Sequence, residues 1–459
     1  DLWISNYADT TGCATGEIAS WGSALAGFER SDRAADCVVV TTAAAGQYLL
    51  RVANPAPQWN VEATLYESNG VPAVNASGNG DYSQVSLKAN HSYRVIVTGD
   101  TQGYPGDYGA GLFRLGENAG CGVLAGTGWD AEVVDLQFPS VTELNCHRVE
   151  ASSGDRVRIT QRTASGYLYH AVYNANGNNV CTAGYYGNRS DDCQLTGTGP
   201  WRVVSYFNTY YDDAPATSAD LWISNYADTT GCATGEIDGT VSMVSARVGL
   251  ERTTRAEDCY LSSLTRNSRI RMDVRALTTD AVQWQIVDGT GGSQCSGYSS
   301  VYSVQCSLTG PEPYRLLVSG PSSAPYEVAA RRLNGAVGCA QVLGVASGIP
   351  VQKGSLTTER DLACYRIPGG AGDELVLEAF NPDVDGVRYG IEVYNPEGER
   401  VLDKPYYYQE AELTLQVSGD YLALVTLQDS TPGNYRFRGS CLNPACGSDG
   451  LTVATVSPA

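Results

Sequence analysis

The amino-acid sequence predicts an all-β protein: four tandem antiparallel β-sandwiches of the jelly-roll or immunoglobulin-like kind, with an orphan strand at each end. Residues 1–18, DLWISNYADTTGCATGEI, recur letter for letter as residues 220–237, so this chain of 459 residues contains duplicated material. A shorter period of about 108 residues, a typical domain length, lies within that duplication. It is marked by a Gly-Cys or Ala-Cys step at Cys13, Cys121, Cys232, Cys339 and Cys446.

Each period contains the same succession of strand signals. A second cysteine follows the first by 24 to 27 residues, and an apolar run opened by a turn comes next, such as SGDRVRIT from Ser153. Then come a strand closed by an Asn, Asp or Gly turn, an aromatic-led strand and a closing strand. In the second period these are AVYNANG ending at Gly177, PWRVVS at Trp201 and ADLWISNY from Ala219. Alternation of apolar and polar residues between turn signals indicates half-buried strands, and no helical period competes with it.

The register of these signals sets the predicted domain boundaries. Residues 1–10 match the closing strand of a preceding or neighbouring unit, and residues 444–459 match the opening strand of a fifth or neighbouring one. Between them we predict sandwiches at residues 11–118, 119–229, 230–336 and 337–443. Exposed strand edges seek partners, so both orphan strands are candidates for assembly.

The fourteen cysteines all fall within this register. Units two and three each have an additional hairpin pair, whereas units one and four lack both of its members, as disulfides require. An oxidised, even set of cysteines indicates an extracellular or cell-surface protein. The predicted pairs are Cys13–Cys37, Cys121–Cys146, Cys181–Cys193, Cys232–Cys259, Cys295–Cys306, Cys339–Cys364 and Cys441–Cys446.

The formal net charge is −20 and is spread along all units. Proteins bind nucleic acids and anionic membranes through Lys and Arg side chains. Because this chain has an excess of negative charge instead, neither is an expected partner. No apolar run approaches the roughly 20 residues that a membrane-spanning helix needs. The acidity is typical of a long, soluble surface, with weak divalent-cation binding as the alternative.

Residues suited to acid–base catalysis are scarce. The only histidines, His91, His147 and His170, fall in different strand signals, and none of the usual hydrolase, nucleotide-binding or zinc motifs occurs. We therefore predict no catalytic residues and no enzymatic activity.

One segment fits the spacing of a calcium-binding loop. Asn381, Asp383 and Asp385 lie at alternate positions before a glycine, and Glu392 occupies the twelfth position. Alternating oxygen ligands and a turn-making glycine suit a hard cation. The flanking segments are strands rather than helices, so an ordinary turn remains the alternative. No other cofactor is predicted.

Tyrosine-rich segments suggest contact surfaces. They lie at Tyr406–Tyr408, at Tyr185–Tyr186 and around Tyr206–Tyr211. Exposed aromatic rows stack on sugars or form protein interfaces, whereas ordinary sheet composition is the alternative explanation. Three segments also match the N-glycosylation sequon, at Asn75, Asn90 and Asn188.

Unit four resembles the bacterial pre-peptidase C-terminal domain family (PPC-like domains). The resemblance rests on CYRIPGGAGDELVLEAF, YGIEVYNPEGERVLD and VSGDYLALVTLQDSTPGNYRF. All four units follow this order, although unit three has Arg266-Asn267-Ser268 in place of the Gly-Asp turn. The resemblance implies a jelly-roll-like accessory or binding module, in a disulfide-bonded tandem form from secreted bacterial proteins. It implies no catalytic residues; some members of the family bind calcium or polymers.

These observations favour a non-enzymatic extracellular structural protein, a subunit of a rod or filament assembled head to tail from copies of itself. The orphan strands would join the copies, through Leu2, Trp3 and Ile4 at one end and Leu451, Val453 and Val456 at the other. The alternative is an adhesin stalk, or the polysaccharide- or matrix-binding accessory region of a secreted hydrolase.

Overall fold

The computed structural model describes most of the chain as β-structure. It describes residues 6, 8–18, 26–28, 35–53, 61–77, 79–99, 108–124, 126–139, 143–187, 189–208, 218–237, 247–248, 257–277, 281–299, 303–320, 326–336, 338–341, 351–356, 361–381, 389–404, 410–427 and 433–442. In these residues, no helix is long and apolar enough to cross a membrane.

The first two sandwiches lie in a compact unit spanning Asp1–Cys232. The first contains β1 (Ala14–Gly16), β2 (Ala26–Phe28), β3 (Ala35–Thr42), β4 (Gly46–Ala53), β5 (Val61–Tyr66), β6 (Pro72–Ser77), β7 (Asn79–Leu87), β8 (His91–Gly99) and β9 (Tyr108–Arg114). The second contains β10 (Gly122–Val123), β11 (Val134–Gln137), β12 (Asn145–Val149), β13 (Arg156–Thr163), β14 (Tyr167–Tyr173), β15 (Asn179–Tyr186), β16 (Arg189–Gln194), β17 (Trp201–Asn208) and β18 (Ser218–Asn225).

The other two sandwiches lie in a second compact unit, Ala233–Ala459. The third contains β19 (Ala233–Ile237), β20 (Arg247–Val248), β21 (Glu257–Ser262), β22 (Arg269–Ala276), β23 (Gln283–Val287), β24 (Ser293–Tyr298), β25 (Val304–Ser307), β26 (Tyr314–Ser319) and β27 (Tyr326–Arg332). The fourth contains β28 (Ala340–Gln341), β29 (Gln352–Leu356), β30 (Leu362–Gly369), β31 (Glu374–Phe380), β32 (Tyr389–Tyr394), β33 (Arg400–Lys404), β34 (Glu410–Thr414), β35 (Gly419–Leu427) and β36 (Gly433–Cys441).

All four sandwiches have one topology. The first pairs a five-stranded sheet, β1-β3-β8-β5-β6, with a four-stranded sheet, β2-β9-β4-β7, and the others repeat this order with the strand numbers advanced by nine. The predicted all-β class and four tandem sandwiches are therefore confirmed. Of the first predicted orphan segment, residues 6 and 8–10 are described, and the second, residues 444–459, lies outside the described residues.

The opening strand of each sandwich departs from a purely antiparallel arrangement. β1 pairs with β3 in parallel, as do β10 with β12, β19 with β21 and β28 with β30. A disulfide lies beside this pairing, since Cys13 precedes β1 and is bonded to Cys37 on β3. The short parallel strand covers the open edge of the five-stranded sheet, which would otherwise present unpaired backbone groups.

The core of each sandwich follows from alternation along its strands. In β5, VEATLY, residues Val61, Ala63 and Leu65 are buried because side chains two apart face the same side of a sheet. They join Val95 and Val97 of β8 in the first core. The residues between them, Thr64 and Ile96 among them, face outwards from that core.

A tyrosine fastens the closing strand in two of the sandwiches. Tyr108, the first residue of β9, donates its hydroxyl to Asp36 at 2.9 Å, and Tyr326, the first of β27, donates to Asp258 at 2.6 Å. Each acceptor immediately precedes the second cysteine of its unit. In both sandwiches this hydrogen bond therefore joins the closing strand of the four-stranded sheet to the five-stranded sheet, beside the second cysteine.

The disulfides within the described residues join Cys13 to Cys37, Cys121 to Cys146, Cys181 to Cys193, Cys295 to Cys306 and Cys339 to Cys364. Cys232, Cys259 and Cys441 are disulfide-bonded as well. The pairing predicted for Cys441, with Cys446, involves a residue outside the described part of the chain.

Candidate functional site

Within the first unit, the two sandwiches pack sheet face against sheet face. Leu49, Phe113 and Leu115 from the four-stranded side of the first sandwich form one buried cluster with Tyr173 and Val204 of the second. These residues point away from both sandwich cores, because their strand neighbours belong to those cores. We call this contact the first junction; it is a second layer of hydrophobic burial, added to the two cores.

A buried arginine locks the connecting turn into the first junction. Arg202 on β17 is 2% exposed, and its guanidinium donates three hydrogen bonds. Nε bonds Asn118 Oδ1 at 2.7 Å, Nη1 bonds the Asn174 carbonyl at 2.9 Å, and Nη2 bonds the Gly116 carbonyl at 3.0 Å. Two of these acceptors lie on the turn that leads from one sandwich to the next, so Arg202 fixes the direction in which the chain continues.

The turn after β14 fits against the preceding sandwich. Gly177 has φ +79°, and a Cβ there would lie 2.8 Å from Leu115 Cβ and 2.9 Å from Gln47 Cβ. Its carbonyl accepts a hydrogen bond from Gln84 of the first sandwich at 3.0 Å. Glycine is therefore required twice, for the left-handed backbone and for the close approach.

Aromatic rings complete the first junction. Tyr82 of β7 meets Tyr206 of β17 edge to face, with ring centroids 5.0 Å apart, and Tyr169 stacks on the same ring at 5.9 Å. The buried Arg51 guanidinium lies 5.1 Å from the Tyr206 ring centroid and bonds the Phe207 carbonyl at 3.3 Å. Tyr206 of the predicted tyrosine surface thus lies inside a junction rather than on a free surface.

Within the second unit, the third and fourth sandwiches pack in the same manner. Leu333 from the end of the third joins Leu362, Tyr394, Leu422 and Leu424 of the fourth in one buried cluster. We call this contact the second junction. As in the first, the four-stranded side of one sandwich meets the five-stranded side of the next.

The second junction contains ion pairs where the first contains rings. Arg271 Nη1 of β22 bonds Glu392 Oε1 of β32 at 2.6 Å, and its Nε bonds Asp273 Oδ1 at 3.2 Å. The Tyr394 hydroxyl donates to the other oxygen of Glu392 and accepts a hydrogen bond from Gln305 at 3.0 Å. Each charged group of this network is thus paired or hydrogen-bonded, as a buried ion pair requires.

The electrostatics of this network favour the charged forms. Burial acts to raise the pKa of Glu392, but Arg271 and the Tyr394 hydroxyl outweigh it and lower that pKa. Burial likewise acts to lower the pKa of Arg271, which the Asp273 and Glu392 carboxylates raise. Both groups are therefore ionised across the physiological pH range.

The calcium-loop prediction is only partly within the described residues. Glu392 is engaged with Arg271 and Tyr394, and Asn381 forms a side-chain hydrogen bond with Tyr389. Asp383 and Asp385 lie outside the described residues. In the part of the chain that the structure describes, no group of three or more His, Cys, Asp or Glu side chains could hold a metal ion.

The histidines lie in separate settings. His91 begins β8, with its ring 4.9 Å from that of Tyr93, and His147 follows Cys146 on β12. His170 is completely buried in the second sandwich, where Nδ1 lies 2.8 Å from Ser205 Oγ and Nε2 3.0 Å from Gln161 Oε1. Burial, with a smaller effect of His147, lowers the pKa of His170 to about 3. It is therefore a neutral, hydrogen-bonded interior residue.

All of the predicted assembly residues lie outside the described part of the chain: Leu2, Trp3, Ile4, Leu451, Val453 and Val456. The turn that follows the first three is described. There Asn6 Oδ1 accepts from the Ala8 amide and Asp9 Oδ1 from the Thr11 amide. The duplicated residues 225–232 form the same turn, through Asn225 and Asp228. One sequence thus makes one local structure at both places.

Of the other predicted contact residues, Tyr210, Tyr211, Tyr406–Tyr408 and Asn188 are outside the described residues.

Comparison with known proteins identifies no relative. No family model matches the sequence, and no curated protein matches it. Among solved structures, that of the M60 catalytic domain with the CBM51-1 and CBM51-2 domains from Clostridium perfringens ZmpB is 9% identical, with a TM-score of 0.17. This chain covers 34% of that one, and 68% of this chain is matched.

Two further solved structures match a larger share of this chain, at similarly low identity and TM-score. The BSP domain of a biofilm-associated protein is 9% identical, with a TM-score of 0.16 over 94% of this chain and 97% of that one. A glycosyl hydrolase family 2 member from Bacteroides cellulosilyticus is 7% identical, with a TM-score of 0.15 over 89% and 90%. Similarity this low carries no argument about function.

Proposed function

We propose that this chain is a non-enzymatic extracellular structural protein, a subunit of a rod or filament assembled head to tail from copies of itself. The observation that carries the proposal is the repeated junction. In each unit the four-stranded side of one sandwich covers the five-stranded side of the next. Such a contact joins two different surfaces, so it leaves one surface of each kind unused at the ends and can propagate.

The disulfides support an extracellular location. Bonds such as Cys121–Cys146 and Cys339–Cys364 lie at the edge of each junction, and structural disulfides persist in oxidising compartments. Each cross-link also limits the unfolded chain, which suits a protein exposed to proteases and mechanical load. The relationship that we propose is to PPC-like domains, in their disulfide-bonded tandem form.

The proposed link between copies is strand addition. Residues around Leu2–Ile4 of one copy and Leu451–Val456 of the next would contribute strands across the contact, since an unpaired strand adds readily to an open sheet edge.

Calcium at Asp383 and Asp385 is an additional proposal, which dialysis against a chelator followed by a melting curve would test.

Light scattering after gel filtration tests the proposal. The non-reduced chain should form species of many copies as its concentration rises, and the chain lacking residues 1–7 should form far fewer. Monomers at every concentration would contradict the filament, and binding of such monomers to chitin, cellulose or collagen would favour the alternative of an adhesin stalk or accessory binding region.

A further inference from the structure

The position after the closing strand differs between sandwiches in one informative way. The Leu115 amide donates to the Gln47 carbonyl at 2.9 Å, Leu333 to Arg269 at 2.6 Å and Leu442 to Glu374 at 2.8 Å. These leucines are therefore structurally equivalent. Leu115 and Leu333 are 0% and 2% exposed because the next sandwich covers them, whereas Leu442 is 56% exposed.

Part of the same face is also accessible in the fourth sandwich, where Val376 is half-buried and the Glu378 side chain is 13% exposed. Val376 lies between core residues of β31 and therefore faces outwards, as does Glu378. Glu378 pairs with Arg438, whose side chain is 50% exposed, whereas Ala329, which strand register makes its equivalent in the third sandwich, is 7% exposed. We call Val376, Glu378, Arg438 and Leu442 the closing face.

The complementary face is partly accessible in the first sandwich, where Arg94 is buried but Ile96, two residues along the same strand, is not. Strand register makes Ile96 equivalent to Val204 and Leu424, because each of the three pairs with the second cysteine of its own sandwich. Val204 and Leu424 are completely buried in the junctions, whereas Ile96 is only half-buried. Cys37 and Tyr66 are also half-buried, whereas their equivalents are buried: Cys146 and Cys364 for Cys37, and Tyr173 and Tyr394 for Tyr66. Thr64 is half-buried where Ala171 is buried, and the side chain of its equivalent in the fourth sandwich, Glu392, is 15% exposed.

We propose that this opening face, formed by Cys37, Thr64, Tyr66 and Ile96, binds the closing face of a second copy of the chain. The occupant follows from continuity with the two junctions, where each of these positions is already covered by a closing face. The inference rests on the proposed head-to-tail assembly and assigns its contact surface. Leu442 of one copy would occupy, on the next, the place that Leu115 occupies on the second sandwich.

Complementary variants test this contact. Leu442→Asp disables the closing face, and Ile96→Asp disables the opening face. In sedimentation velocity, each variant alone should be monomeric, with at least a roughly tenfold rise in dissociation constant, because a leucine-sized apolar burial is lost. An equimolar mixture should form dimers and nothing larger, since only one functional pair of faces remains.

Two controls keep the result interpretable. Leu277→Asp changes a leucine that is also exposed, in the third sandwich, and should assemble like the wild type. If Ile96→Asp fails to fold by circular dichroism, Ile96→Asn replaces it, because it removes the same apolar contact without adding a charge.

The outcomes separate this contact from the assembly itself. Assembly of wild type and of Leu442→Asp to the same extent would overturn the face contact and leave the filament standing. A wild type that remains monomeric would overturn both. A mixture of the two variants that gives no dimers, while the wild type assembles, would also overturn the contact.

Discussion

Arg271 of the third sandwich and Glu392 of the fourth form an ion pair at 2.6 Å across the second junction. They are separated by 121 residues in the sequence. The Glu392 side chain is 15% exposed and that of Arg271 10%. This pair and the apolar cluster beside it show how one sandwich orients the next.

Removing one partner of this pair should destabilise the second unit strongly. Arg271→Met leaves the Glu392 carboxylate buried without its cation, which costs about 3–5 kcal/mol of the free energy of unfolding. The double variant Arg271→Met with Glu392→Leu should recover most of that loss, because neither charge is then buried. Urea unfolding of the four members of this cycle measures the coupling; equal, additive losses would contradict a direct interaction.

Replacing Arg202 should loosen the first junction. Arg202→Ala removes three hydrogen bonds from a charged group and leaves the Gly116 and Asn174 carbonyls to find other donors, so a loss of about 2–4 kcal/mol is expected. Arg148→Ala is the matched control, because the Arg148–Glu150 pair lies at the surface and is worth under about 1 kcal/mol. Similar losses in urea unfolding for both variants would contradict the role of Arg202 in holding the connecting turn.

The fit of Gly177 against Leu115 can be separated from backbone strain. Gly177→Ala and Gly154→Ala both place a side chain on a residue with positive φ, but a Cβ at Gly154 meets nothing within 4 Å. Each should lose about 1 kcal/mol from strain, and Gly177→Ala should lose roughly 1–3 kcal/mol more from overpacking. Thermal unfolding monitored by circular dichroism compares them; a smaller loss at Gly177 would contradict the close packing.

Acid should destabilise the second sandwich through His170. Its pKa is about 3 in the folded chain against an ordinary 6.5, so below pH 6.5 the unfolded chain binds a proton that the folded chain does not. The contribution of neutral His170 to the free energy of unfolding is fully present above pH 6.5. It decreases towards pH 3 by up to about 1.4 kcal/mol per pH unit. His170→Gln should unfold with a shallower acid dependence, and parallel pH curves would count against this assignment.

The sequence predicts the repeating parts of this structure well. A cysteine register and period-two alternation recur four times, so the sandwich count and the strand signals could be read from local patterns. The parallel opening strand was not predicted, because a two- or three-residue strand such as β10 has no periodicity of its own.

The junctions were harder to predict because their contacts join distant residues. Glu392 fits a calcium-loop spacing locally, yet its carboxylate bonds an arginine in the preceding sandwich. A usable signal existed: an arginine follows the aromatic residue in SYRVIV, PWRVVS and PYRLLV. Because neighbouring strand residues face opposite sides, Arg94, Arg202 and Arg315 point away from the cores, and all three are buried. A buried, outward-facing arginine such as Arg202 indicates that another part of the chain covers the sheet at that point.

Electron microscopy of the native, non-reduced chain tests the central claim of head-to-tail assembly most directly. The account predicts unbranched fibres whose axial repeat accommodates four sandwiches, and isolated particles when Leu442→Asp is imaged under the same conditions. Isolated particles of the wild-type chain at every concentration would contradict it.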